Sequence, residues 1–169
     1  MSVLEILKVP DPKLREKAKE ILKIDDNIKK IAYDMIETMY AGKGIGLAGT
    51  QVGIPLRIIV IDVDQIEGES NPMVFINPEI VEGRDRVVNE EGCLSVPGYT
   101  AKVERFNYVK VRYKDLDDKI REMEGEDLLA RAFQHEIDHL NGILFIDHLS
   151  KLKREMFLKR LKKSMERNL

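Results

Sequence analysis

The stretch Asp127-Leu-Leu-Ala-Arg-Ala-Phe-Gln-His135-Glu-Ile-Asp-His139-Leu-Asn-Gly142 decides the architecture of this chain. Its apolar spacing predicts a helix over Asp127–Asn141, closed by Gly142. Leu128, Ala132, His135 and His139 fall on one stripe of that helix, so both histidines share the face that should point inward. Residues four apart lie one turn apart on one face. Two imidazoles so placed can bind one metal ion, and Glu136 beside the first is positioned to act as a general base. The five residues alone also fit a blander reading, in which carbonyls satisfy the histidines and Glu136 and Asp138 are solvated charges.

A catalytic site of this type needs three protein ligands and one open position. Outside the helix the chain has one further histidine, His148, and one cysteine, Cys93 in Glu91-Gly-Cys-Leu-Ser95. A buried, inert cysteine is the commoner case. A thiolate beside two imidazoles would, however, complete a Cys-His₂ site with water in the fourth place. His148 lies beyond the Gly142 break on no obvious helix face. A lone cysteine cannot form an intrachain disulfide, which points to a reducing cytoplasm.

Working outward, Ser150 caps a last helix that runs to the chain end. On the other side, Val103–Tyr113 and Val81–Asn89 read as strands, Met73–Ile76 as a short apolar segment ended by Asn77-Pro78, and Arg57–Val63 as a buried strand. Asp117-Asp118 marks a turn. Asp11-Pro12 opens a first helical pattern, and Asp25 or Asp26 caps a second that carries Ile28, Ile31, Met35, Ile36 and Met39 and runs out at Ala41-Gly42. Helices, then strands, then helices argue an α+β domain: short, mostly antiparallel strands around a central metal-binding helix, with N-terminal helices and a C-terminal one. The 169 residues show no repeat, linker or composition break, so one domain over 1–169 is expected. A 43% apolar and 34% charged composition is that of a globular chain rather than a disordered one, and a net charge of −2 gives no general sign of nucleic-acid binding. No segment suits a membrane span or a signal peptide.

Gly44-Ile-Gly-Leu-Ala-Gly49 matches the dinucleotide fingerprint in letters, with Asp64 about 20 residues on. The context rejects it, because it follows a helix instead of a strand, and Val52-Gly-Ile-Pro55 cannot open a good helix. The loop is either a plain turn or one whose glycines admit a substrate backbone, with Gln51 presenting an amide.

Three segments, Gly44-Ile-Gly-Leu-Ala-Gly-Thr-Gln51, Glu91-Gly-Cys-Leu-Ser95 and Gln134-His-Glu-Ile-Asp-His-Leu-Asn-Gly142, resemble the three signature motifs of peptide deformylases, in order and over essentially the whole chain. Gly49 departs from the alanine many relatives have. The resemblance implies a bacterial-type enzyme that hydrolyses the formyl group from N-terminal formyl-methionine of nascent proteins. It implies Cys93, His135 and His139 as ligands of one divalent metal, Fe²⁺ in the cell and often Zn²⁺ or Ni²⁺ after purification, with Co²⁺ also suited to these donors. Glu136 would move protons. Gln51 and the Leu94 N–H would form the oxyanion site, Gly46 would lie beside water and substrate, and Ile45, Leu128 and Ala132 would line the methionine pocket. Arg131 falls where some relatives have an apolar residue.

A zinc peptidase with the same His-Glu-x-x-His string is the alternative. Its third ligand would lie downstream, and Glu155 there sits on a Lys- and Arg-rich helix. That helix carries Lys159, Arg160, Lys162 and Lys163 opposite an apolar side of Leu152, Met156, Leu158 and Leu161. Basic charge suits a phosphate-rich ribosomal surface, and similar enzymes act on chains leaving the ribosome.

Overall fold

The computed structural model describes residues 2–167. Five strands form one antiparallel sheet in chain order: β1 (Gly46–Ala48), β2 (Ile58–Ile61), β3 (Met73–Cys93), β4 (Val96–Lys114) and β5 (Ile120–Glu126). Three α-helices accompany it: α1 (Asp26–Ala41), α2 (Asp127–Leu140) and α3 (Lys151–Arg167). The α+β class expected from the sequence is the one observed.

The β2 run Ile58-Ile-Val-Ile61 is apolar at every position because both faces of the sheet are covered. Ile59 and Ile61 join Phe75, Val109 and Val111 against Phe133, Ile137 and Leu140 of α2. Ile58 and Val60 join Leu47 and Ile76 against Ile28, Ala32, Met35 and Met39 of α1. The second helix is therefore held on one face and the first on the other. A third cluster, around Val96, Val103, Phe145 and Phe157, closes the far end of the β3–β4 hairpin and the start of α3.

Several boundaries differ from the sequence expectations for definite physical reasons. Asn77-Pro78 does not end a strand, and Met73–Cys93 is continuous across it. The register skips from the Ile76–Lys114 pair to the Glu79–Arg112 pair, so Pro78 is never asked for a ladder hydrogen bond. Asn77 stabilises the bulge: its side chain accepts from Ile21 N–H and donates to the Ile21 carbonyl, each at 2.8 Å. Two strands are consequently much longer than the short segments the sequence marks. The charged β5, with Glu122, Glu124 and Glu126, escapes an apolar-pattern reading because it is an edge strand. Of the expected N-terminal helices only α1 is an α-helix, capped by the Asp25 side chain on Ile28 N–H at 3.0 Å; Pro12–Arg15 is a single 3-10 turn capped by Asp11. On α3 Phe157 packs against Tyr99 and Leu161 is half-buried against the same cluster, whereas Leu152, Met156 and Leu158 are exposed. The expected run of this helix to the chain end reaches Asn168 and Leu169, which lie outside the described residues, as does Met1. No described helix is long and apolar enough to cross a membrane.

Candidate metal centre

Three parts of the fold meet at one cleft of about 470 Å³: the glycine loop leading into β1, the β3–β4 turn, and α2. Thr50 Oγ1 donates to the His139 carbonyl at 3.0 Å, which ties the glycine loop to the end of α2. Leu94-Ser95 is the hairpin turn between β3 and β4, and it carries Cys93 to the same place. The ligand atoms of Cys93, His135 and His139 lie within 4.8 Å of one another. Ile45, Gly46, Gln51, Leu94, Leu128, Ala132 and Glu136 line the cleft beside them. His148 is elsewhere, bonded to Asp138, and Glu155 is exposed on α3, so neither joins the cluster.

The donors suit a tetrahedral ion. Cys93 Sγ and His139 Nε2 are 3.3 Å apart. Thiolate and imidazole at ~2.3 and ~2.0 Å from one ion would stand roughly 3.5 Å apart. His135 Nδ1 is 3.0 Å from Glu91 Oε1, which leaves Nε2 for the cluster. Burial drives the basicity of His139 well below the usual histidine range, so this ring is neutral, as a ligand must be. Burial opposes a proton on His135 as well, but Glu136, Cys93 and Glu91 together raise its pKa well above the usual value.

Around the ligands the polar groups are fixed. Gln51 is buried; its Oε1 accepts from Ala48 N–H at 2.9 Å, and its Nε2 faces Ser95 Oγ at 3.1 Å and Cys93 Sγ at 3.5 Å. Burial lifts the Glu136 carboxyl to about 7, and its Oε1 has no hydrogen-bond partner among the described residues. Such a carboxyl is poised to take and return a proton near neutral pH. A Cβ on Gly46 would come 2.6 Å from Glu136 Oε2, so only glycine lets β1 pass this close. Gly49 has a separate cause, because a Cβ there would meet the Ile54 and Leu56 carbonyls at 2.7 and 2.8 Å.

Sequence reasoning did not find the support behind the ligands. Arg105 is 4% exposed and grips Glu91 at 2.8 and 2.9 Å and Asp138 at 2.7 Å. Asp138 in turn bonds His148 Nε2 at 2.8 Å. Burial opposes charge on Glu91, yet the hydrogen bonds from Arg105 and His135 bring its carboxyl down to about 2. Glu91 and Asp138 stood inside the motifs as letters. Arg105 stood outside them in a strand, and only the pairing Val87–Arg105 and its neighbours turn it toward α2.

Two imidazoles, a thiol, a buried proton-accepting carboxyl and an oriented amide around one apolar-walled cleft are the equipment of a metal-dependent hydrolase. Residues 3–155 match the family model described as polypeptide deformylase, and the chain belongs to that family. It is 52% identical to a peptide deformylase of Mesorhizobium japonicum over 96% of this chain and 93% of that one. It is 53% identical to one of Brucella suis, over 96% and 94%. Among solved structures it resembles a peptide deformylase from Legionella pneumophila, with a TM-score of 0.90 and 42% identity over 99% of this chain and 98% of that one. It equally resembles that of Ehrlichia chaffeensis in complex with actinonin, with a TM-score of 0.90 and 44% identity over 97% and 98%.

Proposed function

We propose that this chain, as a single catalytic domain in the cytoplasm, removes the formyl group from the N-terminal formyl-methionine of nascent peptides and releases formate. The observation that carries the reading is the convergence of Cys93, His135 and His139 with Glu136 and Gln51 at the end of a cleft whose wall includes Ile45, Leu128 and Ala132. Cys93 Sγ and the two histidines would hold one divalent ion, Fe²⁺ in the cell; Zn²⁺, Ni²⁺ and Co²⁺ suit the same donors. When bound, such an ion supplies Lewis acidity and lowers the pKa of a coordinated water from 15.7 to roughly 7.

The remaining work belongs to the chain. Ile45, Leu128 and Ala132 take the methionine side chain, whose burial is worth ~1.5–3 kcal/mol. Glu136 accepts a proton from water as the oxygen adds to the formyl carbon. Gln51 Nε2 and the Leu94 N–H donate to the oxygen that gains charge. Glu136 then passes its proton to the leaving nitrogen as the C–N bond breaks, giving a free amine and formic acid, which loses its remaining proton to solvent as formate. Gly46 leaves room for the Glu136 carboxylate and the substrate together. The formyl carbon carries only hydrogen, so a tight fit here excludes an acetyl group by size.

The basic outer face of α3 docks on the ribosome. Lys159, Arg160, Lys162 and Lys163 are all exposed within about one turn of α3, which supports an electrostatic contact with phosphate.

The test of the central reading is metal analysis of anaerobically purified protein together with formate release from formyl-Met peptides. One divalent ion per chain and release that stops on chelation are expected. Formate release unaffected by full removal of metal would overturn it.

A further inference from the structure

The cleft has a charged mouth that the reaction itself does not use. Lys43 of the glycine loop and Arg131 of α2 both line it. Arg131 belongs to the cleft-facing stripe of the helix: it stands three residues after Leu128, one before Ala132 and four before His135. It is half-buried there, as a long side chain with an apolar stem and a charged end can be. Neither cation makes a side-chain ion pair or hydrogen bond among the described residues. The acidic groups nearby are either engaged or buried. Glu91 is paired with Arg105, Glu136 is buried deep in the cleft, and Glu90 at the mouth accepts from Thr100 Oγ1 at 2.5 Å. Two unpaired cations thus face one engaged carboxylate.

Lys43 adds an independent observation. Its φ is 59°, in the left-handed region, although glycines flank it on both sides. Non-glycine residues seldom take that conformation, and strained backbone of this kind concentrates at ligand clamps.

We propose that Lys43 and Arg131 form a cationic rim that selects formylated peptides carrying an acidic side chain directly after methionine. The inference rests on the deformylase reading above and names a substrate preference within it. With the formyl group beside His135 and methionine against Leu128 and Ala132, the residue that follows leaves through the part of the cleft that Lys43 and Arg131 line.

The experiment compares kcat/KM for three peptides, formyl-Met-Asp-Ala, formyl-Met-Ala-Ala and formyl-Met-Lys-Ala, with C-terminal amides, for the parent enzyme and for Arg131→Met, Lys43→Asn, the double variant and Glu90→Gln. Asparagine tolerates the left-handed backbone at position 43. Using the ratio of acidic to basic peptide within each protein cancels any general change in activity. The parent should favour the acidic peptide on the order of tenfold, the size that two partly screened ion pairs supply. Each single cation variant should reduce the ratio, the double variant should bring it close to one, and Glu90→Gln should raise it. Added salt should shrink the parent ratio. A parent ratio near one, or a ratio that survives in the double variant, overturns the rim while leaving deformylation of formyl-Met-Ala-Ala intact. No formate from any of the three peptides overturns both readings.

Discussion

Nδ1 of His135 lies 3.0 Å from Oε1 of Glu91, and the same carboxylate is gripped twice by the buried guanidinium of Arg105. This relationship ties a helix residue to two strands. It sets which ring nitrogen of His135 faces Cys93, and it does so through a carboxylate that cannot itself turn. Partners of this kind tune a metal site without touching the ion.

Replacing Glu91 by Gln should therefore weaken metal binding about 10–100-fold. Competition with a chromophoric chelator measures it. Parent-like affinity in Glu91→Gln would show that the ring of His135 is oriented by its packing alone.

Arg105→Met tests the energetics of the network. It would leave Glu91 and Asp138, whose side chains are 10% and 22% exposed, without their cation. Breaking a buried pair from one side costs ~3–5 kcal/mol. Denaturant unfolding of the metal-free protein should show a loss of that order, and a change below ~1 kcal/mol would mean that water reaches these carboxylates.

Cys93→Ser and Glu136→Gln separate ligand from proton carrier. The first should lose metal and activity together. The second should keep its metal and lose roughly 10²–10⁴-fold in kcat. Metal content by mass spectrometry, read beside formate release, distinguishes them; loss of the ion from Glu136→Gln would make Glu136 a ligand.

Gly46→Ala probes the close passage of β1. The added Cβ has no room beside Glu136 Oε2, so the carboxylate must shift. Activity should fall roughly 10–100-fold through that misplacement, with metal content and thermal stability near those of the parent. An active Gly46→Ala enzyme would show that Glu136 has slack to move.

Changing Lys159, Arg160, Lys162 and Lys163 to Glu should abolish co-sedimentation with ribosomes at low salt and leave turnover of a free formyl-Met peptide unchanged. Phe157, the packed residue of α3, stays in place. Equal co-sedimentation of variant and parent would reduce the helix to a structural cap.

The sequence by itself determined what a short periodic segment can encode. The α2 stripe of Leu128, Ala132, His135 and His139 follows from 3.6-residue periodicity, and the ends of α1 follow from Asp25 and Gly42. The nature of the donors was equally local, because a histidine pair one turn apart with an adjacent carboxylate needs no other element to be recognised. Spacing left Cys93 and His148 both open as a third ligand. In the tertiary structure the β3–β4 turn brings Cys93 to the pair while His148 is bonded to Asp138. It alone decided the continuity of β3 through Asn77-Pro78, where side-chain bonds to Ile21 replace a ladder that proline cannot join. It alone decided that Arg105 stands behind His135 and that Lys43 and Arg131 line the same cleft. The reason is common to all four. Each depends on residues distant in the chain meeting through strand register and helix packing, and neither register nor packing is written in the spacing of any one segment.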